Sequence, residues 1–391
     1  MRFADRIDQV SPSVTLGLNA RTLELKQAGK DIVALGVGEP DIDTPEVVCA
    51  AGKKAIDDRK CRYTATAGVP ELRKAICQYV RNVYGLEYEP AEVMASSGAK
   101  QVLYNSISAV VGPGDELIIP APYWTSYPEM VHLAGGTPKL VSTRPEDLFK
   151  LTPQALEEAI GPNTRGLLFN SPSNPTGIAY SMSDLQALAE VLQSKDIWIL
   201  SDDIYCTLFF DDHKFACFAS IPGMRERTIL INGVSKTFSM TGWRLGFAAG
   251  SREAIAAMTK IQDHSTSCPN AVGQYAAAEA LRQGPSLTAA WVASLAERRD
   301  LMMRLLEEIP GVSCIRPQGA FYLFVDVREL VGPSGVAPDT MALADGMLVD
   351  AGVGTIPGEA FGAAGFLRLS FAVTPENIAE GVRRMRNYLL S

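Results

Sequence analysis

The stretch TILINGVSKTFSMTGWRLGFAAG, Thr228–Gly250, sets two short strand-like runs on either side of a small-residue loop that carries one lysine. Thr228–Asn232 and Leu245–Ala249 have the near-continuous apolar character of strands covered on both faces. Working outward, further runs of this kind occur at Val93–Ser97, Glu116–Pro120, Arg165–Asn170 and Ile197–Ser201. Helical patterns lie between them, among them Lys100–Val111, Leu151–Ile160 and Ser183–Ser194. This alternation predicts an α/β fold, a largely parallel sheet with helices on both faces. Such sheets bind ligands beyond the carboxyl ends of their strands, which is where Lys236 falls.

A lysine just past a strand is ordinarily a solvated surface residue. Lys236 differs in its surroundings: small residues permit close approach of a ligand, and Arg244 lies two turns on to clamp an anion. In a desolvated crevice an amine with an ordinary pKa of ~10.4 loses its proton more readily and becomes a Schiff-base nucleophile.

The last hundred residues have a different rhythm. A helix-rich stretch to about Glu308 precedes an alternating, aromatic Gly319–Val327, a helix over Met341–Ala351 and a strand at Phe366–Phe371. Thr374 is the N-cap of a final amphipathic helix ending near Leu390. That is an α+β module, and the Gly- and Pro-rich first 45 residues are expected beside it. The expected division is therefore 1–45 with 291–391 as a small domain, and 46–290 as a large one.

With 391 residues, 47% hydrophobic and 20% charged, the chain is neither disordered nor a disulfide scaffold. Its net charge of -8 gives no electrostatic reason to expect nucleic acid or an anionic membrane as partner. An anionic ligand must then be met by a few well-placed basic residues. MRFADRIDQV lacks the apolar core of a secretory signal, and no run approaches the ~20 apolar residues of a membrane span. The seven cysteines are scattered without a CxxC pair, and the three histidines lie far apart, which argues against a metal site. A cytoplasmic location follows as the expectation. P-loop, GxSxG and early GxGxxG patterns are absent.

SKTFSMTGWRLG, Ser235–Gly246, resembles the pyridoxal-phosphate attachment segment of class I aminotransferases of fold type I, in the aspartate aminotransferase group. GVGEPDIDTP, RYTATAGVPELRKAI, SSGAKQVL, PAPYWTSYPEM, NSPSNPTG, SDDIY and FLRLSFA follow the same family's order from Gly36 to Ala372. The resemblance implies a large domain with a mostly parallel seven-stranded sheet, a smaller α+β domain built from both chain ends, and pyridoxal 5'-phosphate as cofactor. It also implies a homodimer with shared active sites.

Residue by residue, the resemblance makes Lys236 the attachment and proton-transfer lysine. Asp202 becomes the partner of the pyridine nitrogen, although Asp203 beside it is an alternative on the residues alone. Tyr205 and Asn174 would bond the 3' oxygen, Trp124 would stack on the ring, and Asn174 and Trp124 would also line the substrate site. Gly98, Ala99 and Lys100 would present backbone donors to the phosphate, a role suited to a helix start. Arg244 would join them at the phosphate, with Tyr63 arriving from the neighbouring subunit, and Ser235 would also bind the cofactor. Arg368 and Gly38 would hold the substrate carboxylate; a charge inside an apolar strand otherwise needs water or an anion.

The implied reaction is ping-pong transfer of an amino group from an L-amino acid to a 2-oxo acid, with aspartate and 2-oxoglutarate as the expected pair. Aromatic or prephenate transamination is an alternative, as are a β-lyase or decarboxylase and a non-enzymatic cofactor-sensing regulator domain. Some related enzymes carry a basic residue where this chain has Ser11, a departure that weakens the case for a dicarboxylate. Ser267 and His264 are loose candidates, with core or interface packing as their plainer role.

Overall fold

A computed structural model describes residues 3–391. The central sheet has seven strands: β1 (Val93–Ser96), β2 (Glu116–Ala121), β3 (Thr137–Ser142), β4 (Thr164–Asn170), β5 (Trp198–Asp202), β6 (Thr228–Gly233) and β7 (Gly246–Ala249). In space they run β1-β7-β6-β5-β4-β2-β3. β2 is parallel to β3 and β4, and β4, β5 and β6 continue parallel. Only β7 breaks the direction, antiparallel to both β1 and β6.

Alternating side chains send Leu117, Ile119, Leu168 and Leu200 into one core with the helix Ala99–Val110. Ile118, Leu167, Phe169 and Ile199 enter another with Met182–Leu192. Both faces are therefore dry, which is why these strands are apolar at consecutive positions. Six strands match the runs seen in the sequence to within a residue or two at their ends. β3 is not among them: it is an edge strand with Pro138 and Lys139 in it and no fully buried residue, Thr137, Leu140 and Ser142 being exposed. Polar and proline residues on an edge are what keep it from pairing with other chains.

Helix ends follow capping chemistry. Ser181 and Asp184 form a capping box at Met182–Leu192, and Thr152 caps Pro153–Ala159. Thr374 accepts the amide of Asn377 at the start of the terminal helix Pro375–Leu389, as its sequence predicts.

A second sheet of four antiparallel strands contains β8 (Tyr322–Asp326) and β9 (Phe366–Ser370), flanked by Ser313–Cys314 and Ile356–Pro357. Val33–Ala34 pairs in parallel with Val353–Gly354. Val33 and Leu35 share one core with Leu295, Met302, Phe321, Leu367, Ile378 and Met385. Residues from the two ends of the chain thus bury each other.

The two sheets are stitched together by backbone. Gln318 and Gly319 both donate to the Gly177 carbonyl at 2.9 Å, and Ala320 donates to Leu208 at 3.0 Å. Gly177 has φ +67°, and a Cβ there would lie 2.5 Å from Cβ of Pro317. Nearby, Arg299 is fully buried on the helix Ala289–Glu307, bonding both carboxylate oxygens of Asp211 and that of Asp300.

Candidate active site

The carboxyl ends of β4, β5 and β6 open onto one crevice. Past β6 the chain turns tightly, with the amides of Phe238 and Met240 donating to the carbonyls of Val234 and Ser235. The Thr237 hydroxyl bonds Thr207 at 2.7 Å, and its carbonyl accepts from Thr288 at 2.6 Å. This fixed turn aims half-buried Lys236 at the Gly38 carbonyl, to which Nζ donates. Burial lowers the Lys236 pKa to about 8; Glu39 opposes that shift, while the Arg368 and Arg244 cations add to it. A neutral amine is therefore within reach near neutral pH.

β5 delivers the carboxylates. Asp202, 4% exposed, accepts the Tyr127 hydroxyl at 2.6 Å and the Ile204 amide at 3.3 Å. Burial pushes its pKa up to about 6 against those two hydrogen bonds and the Lys236 charge. Asp203 points to the other side of the sheet, where Ser201 donates to it at 2.7 Å. Burial drives its pKa well upward, and among the described residues its Oδ2 has no hydrogen-bond partner. Of the two adjacent acids, Asp202 faces the crevice. Asn170, its register partner on β4, donates to the Asp202 carbonyl at 2.7 Å and accepts the Asn174 amide at 2.9 Å.

Arg368 enters from β9 and is 4% exposed. Its guanidinium donates to Oδ1 of Asn174 at 2.9 Å and the Gly36 carbonyl at 2.8 Å. It lies over the rings of Tyr322 and Phe361, 4.5 and 5.1 Å from their centroids. Among the described residues no carboxylate pairs with it, its Nε lacks a partner, and burial lowers its pKa. A buried cation in that state is a site for an anion. Tyr205 sits beside it, its hydroxyl 2.9 Å from that of Tyr322.

The other end of the crevice is a cradle. Gly98 (φ +88°) is the N-cap of Ala99–Val110, with its own N–H turned back to the Ser96 carbonyl at 2.8 Å. The amides of Ala99 and Lys100 head the helix, where an anion is favoured. Arg244 stacks so closely on Gly98 that a Cβ there would be 2.6 Å from Nη2. Gly246 is equally constrained, since its Cβ would stand 2.3 Å from the Ala99 nitrogen. Lys100 reaches over the Trp124 ring, 4.8 Å from its centroid; burial and then Arg244 lower its pKa. Trp124 in turn meets Tyr127 edge-on at 5.4 Å.

Of the sequence-predicted residues, contacts or electrostatic coupling link Lys236 with Gly38, Asp202, Arg368 and Arg244, Arg368 with Asn174, and Arg244 with Gly98 and Lys100, which meets Trp124. Tyr205 reaches Arg368 through Tyr322, Ala99 heads the helix at Gly98, and Ser235 contributes its carbonyl to the Met240 amide. Tyr63 does not join them within the chain: it is 96% exposed. Ser11 is exposed and donates its amide to Glu129 at 2.8 Å. His264 and Ser267 are exposed as well, not packed in the core. Tyr127, Asn170 and Tyr322 were missed. The first two lie inside motifs already quoted, but a tyrosine in an apolar run gives no sign that its hydroxyl is the part that matters.

A family model described as aminotransferase class I and II matches residues 30–385. The aspartate/prephenate aminotransferase of Cereibacter sphaeroides is 46% identical over 99% of this chain and 98% of its own length. The aspartate aminotransferase of Geobacillus stearothermophilus is 41% identical over 100% and 99%. Among solved structures, the aspartate aminotransferase from Rhizobium meliloti matches with a TM-score of 0.95 at 41% identity, covering 100% of this chain and 99% of that one. The Thermus thermophilus aspartate aminotransferase with maleate gives 0.93 at 40% identity, covering both chains fully.

Proposed function

The chain belongs to the class I and II aminotransferase family, and from that premise we propose that it moves the amino group of aspartate to 2-oxoglutarate with pyridoxal 5'-phosphate held at Lys236. One observation carries this reading. A buried carboxylate, Asp202, and a buried guanidinium, Arg368, flank the Lys236 amine, and among the described residues neither forms an ion pair. Two opposite charges left unpaired in low dielectric are costly, so each is suited to a ligand group of the other sign.

The residues fit this cofactor. A protonated pyridine nitrogen is the cation that Asp202 lacks. The cradle at Gly98, tight enough to exclude a Cβ, with Arg244 and the amides of Ala99 and Lys100 around it, fits a phosphate. When bound, pyridoxal phosphate supplies the carbonyl that condenses with amines and the ring that delocalises the electron pair from Cα.

The chain's residues do the rest. Arg368 orients the substrate α-carboxylate, its planar fork already fixed by Asn174 and Gly36. Asp202 would hold a proton on the ring nitrogen, Tyr205 would donate to the 3' oxygen, and Trp124 would stack on the ring and help exclude water. Lys236, with its lowered pKa, would leave the Gly38 carbonyl, accept the proton of substrate Cα and give it up again at the cofactor's carbonyl carbon. Of the cations in the crevice, Lys100 remains without an assigned anion, and its ammonium above Trp124 is available to a second carboxylate on the substrate.

The exposed Tyr63 is consistent with a homodimer in which it serves the partner's phosphate. We also assign the chain through residue 45 and from 291 onward to a small module, and 46–290 to the cofactor-binding one. Among the described residues no helix is long and apolar enough to cross a membrane, and a cytoplasmic location is part of this reading. The relative from Cereibacter sphaeroides is named for prephenate as well as aspartate, so prephenate is the second acceptor to consider. A panel of amino donors against 2-oxoglutarate, oxaloacetate, pyruvate and prephenate tests the assignment. Turnover highest with aspartate and 2-oxoglutarate supports it; a preference for aromatic donors or for prephenate moves the chain to the second reading.

A further inference from the structure

Tyr322 stands where two halves of the crevice meet. On β8 it lies diagonally across from Arg368 of β9, on the same face, since Phe324 is the direct register partner of Arg368. Its ring supports the guanidinium at 4.5 Å, and its hydroxyl is 2.9 Å from the Tyr205 hydroxyl. Tyr322 is 1% exposed, and a Cβ on Gly38 would come within 3.0 Å of its oxygen. It is therefore held on three sides with little freedom to turn.

The geometry points to Tyr322 as a positioning residue that couples the carboxylate clamp to the Tyr205 phenol. The inference rests on the reading above, in which Tyr205 donates to the cofactor's 3' oxygen. Two hydroxyls 2.9 Å apart share one proton between them. If Tyr205 spends its own proton on the 3' oxygen, Tyr322 is the donor in their bond. That donation polarises Tyr205 and makes it a stronger donor in turn. The same residue's ring face steadies Arg368, an interaction that is strongest when the cation is desolvated. Other charged groups facing this pair are Asp202 and Glu39.

The two contributions separate by substitution. Tyr322→Phe keeps the ring and removes the hydroxyl; Tyr322→Leu removes both. The first readout is the pH midpoint of the visible absorption band of the pyridoxal-phosphate-loaded enzyme. A donor at the 3' oxygen favours the state with the negative oxygen, so a weaker donor raises the midpoint. Tyr322→Phe is expected to raise it by about half a pH unit or more. The second readout is the Kd of a 2-methyl amino acid, which binds but has no Cα proton to lose. It should change less than about threefold in Tyr322→Phe and weaken about tenfold in Tyr322→Leu. Thermal unfolding of both variants checks that they are folded.

A merely structural tyrosine would leave the midpoint in Tyr322→Phe within about 0.2 units of the wild type, and that result overturns the inference. Equal weakening of ligand binding in both variants overturns the ring's part. A wild-type protein with no cofactor band overturns the site reading itself, and this inference with it.

Discussion

Tyr127 donates its phenolic proton to Oδ2 of Asp202 across 2.6 Å, in a place where both residues are buried. With the Ile204 amide, it is what holds Asp202 as an acceptor against the burial that still raises its pKa to about 6. A carboxyl whose folded pKa exceeds its unfolded value stabilises the fold at low pH and ceases to as pH rises through the folded value. Relative to Asp202→Asn, the cofactor-free protein should lose about 2 kcal/mol of unfolding free energy between roughly pH 4 and pH 7. Urea unfolding at the two pH values measures it. Parallel stabilities in variant and wild type would contradict the assignment of an unpaired buried carboxylate. Tyr127→Phe removes a donor to the charged form and should steepen the loss.

Arg368 is held as a fork by Asn174 and Gly36, so its geometry matters as well as its charge. Arg368→Lys keeps a cation but loses the planar pair of donors. We expect kcat/KM for the amino acid to fall about 100-fold, chiefly through KM. Steady-state kinetics with aspartate decides it, and a change below about threefold would show that the carboxylate is bound elsewhere.

Gly177 tests the seam between the sheets. A side chain there would meet Pro317 and the carbonyls of Gly319 and Tyr322 at a positive φ. Gly177→Ala should destabilise the fold by about 3 kcal/mol or more and disturb Asn174 in the same loop. Denaturant midpoints provide the measurement; a cost under about 1 kcal/mol would mean the seam relaxes easily.

Tyr63 tests the shared site. Subunits carrying Lys236→Ala and subunits carrying Tyr63→Ala are each impaired as homodimers. Unfolded together and refolded, half of the dimers pair one of each and regain one native site. Activity should rise toward roughly a quarter of the wild type. Activity equal to the average of the two parents would mean that Tyr63 serves its own chain or none.

The sheet was legible because both its faces are covered, which turns strands such as Trp198–Asp202 and Thr228–Gly233 into apolar runs with no polar alternation to confuse them. Thr137–Ser142 was not, since an edge strand carrying Pro138 and Lys139 has the composition of a loop. Lys236 and Arg368 stood out as charges where the pattern asks for apolar or small residues. Arg299 did not: in Glu297-Arg298-Arg299-Asp300 it has the look of a solvated helix face, yet it is wholly buried against Asp211 and Asp300. Tyr127 and Tyr322 were hidden differently, because tyrosine satisfies an apolar pattern with its ring while its hydroxyl does the hydrogen bonding. The long-range partners that define both roles, at Asp202 and Tyr205, exist only in the folded chain.

The central claim is that Lys236 serves a transfer in two halves, and one experiment separates it from every competing reaction. The loaded enzyme is mixed with aspartate in the absence of any 2-oxo acid. About one oxaloacetate should form per active site and then stop, and 2-oxoglutarate should restart the reaction. Lys236→Ala should yield none. Continuous release of a keto acid or a decarboxylated amine without an acceptor would contradict the account.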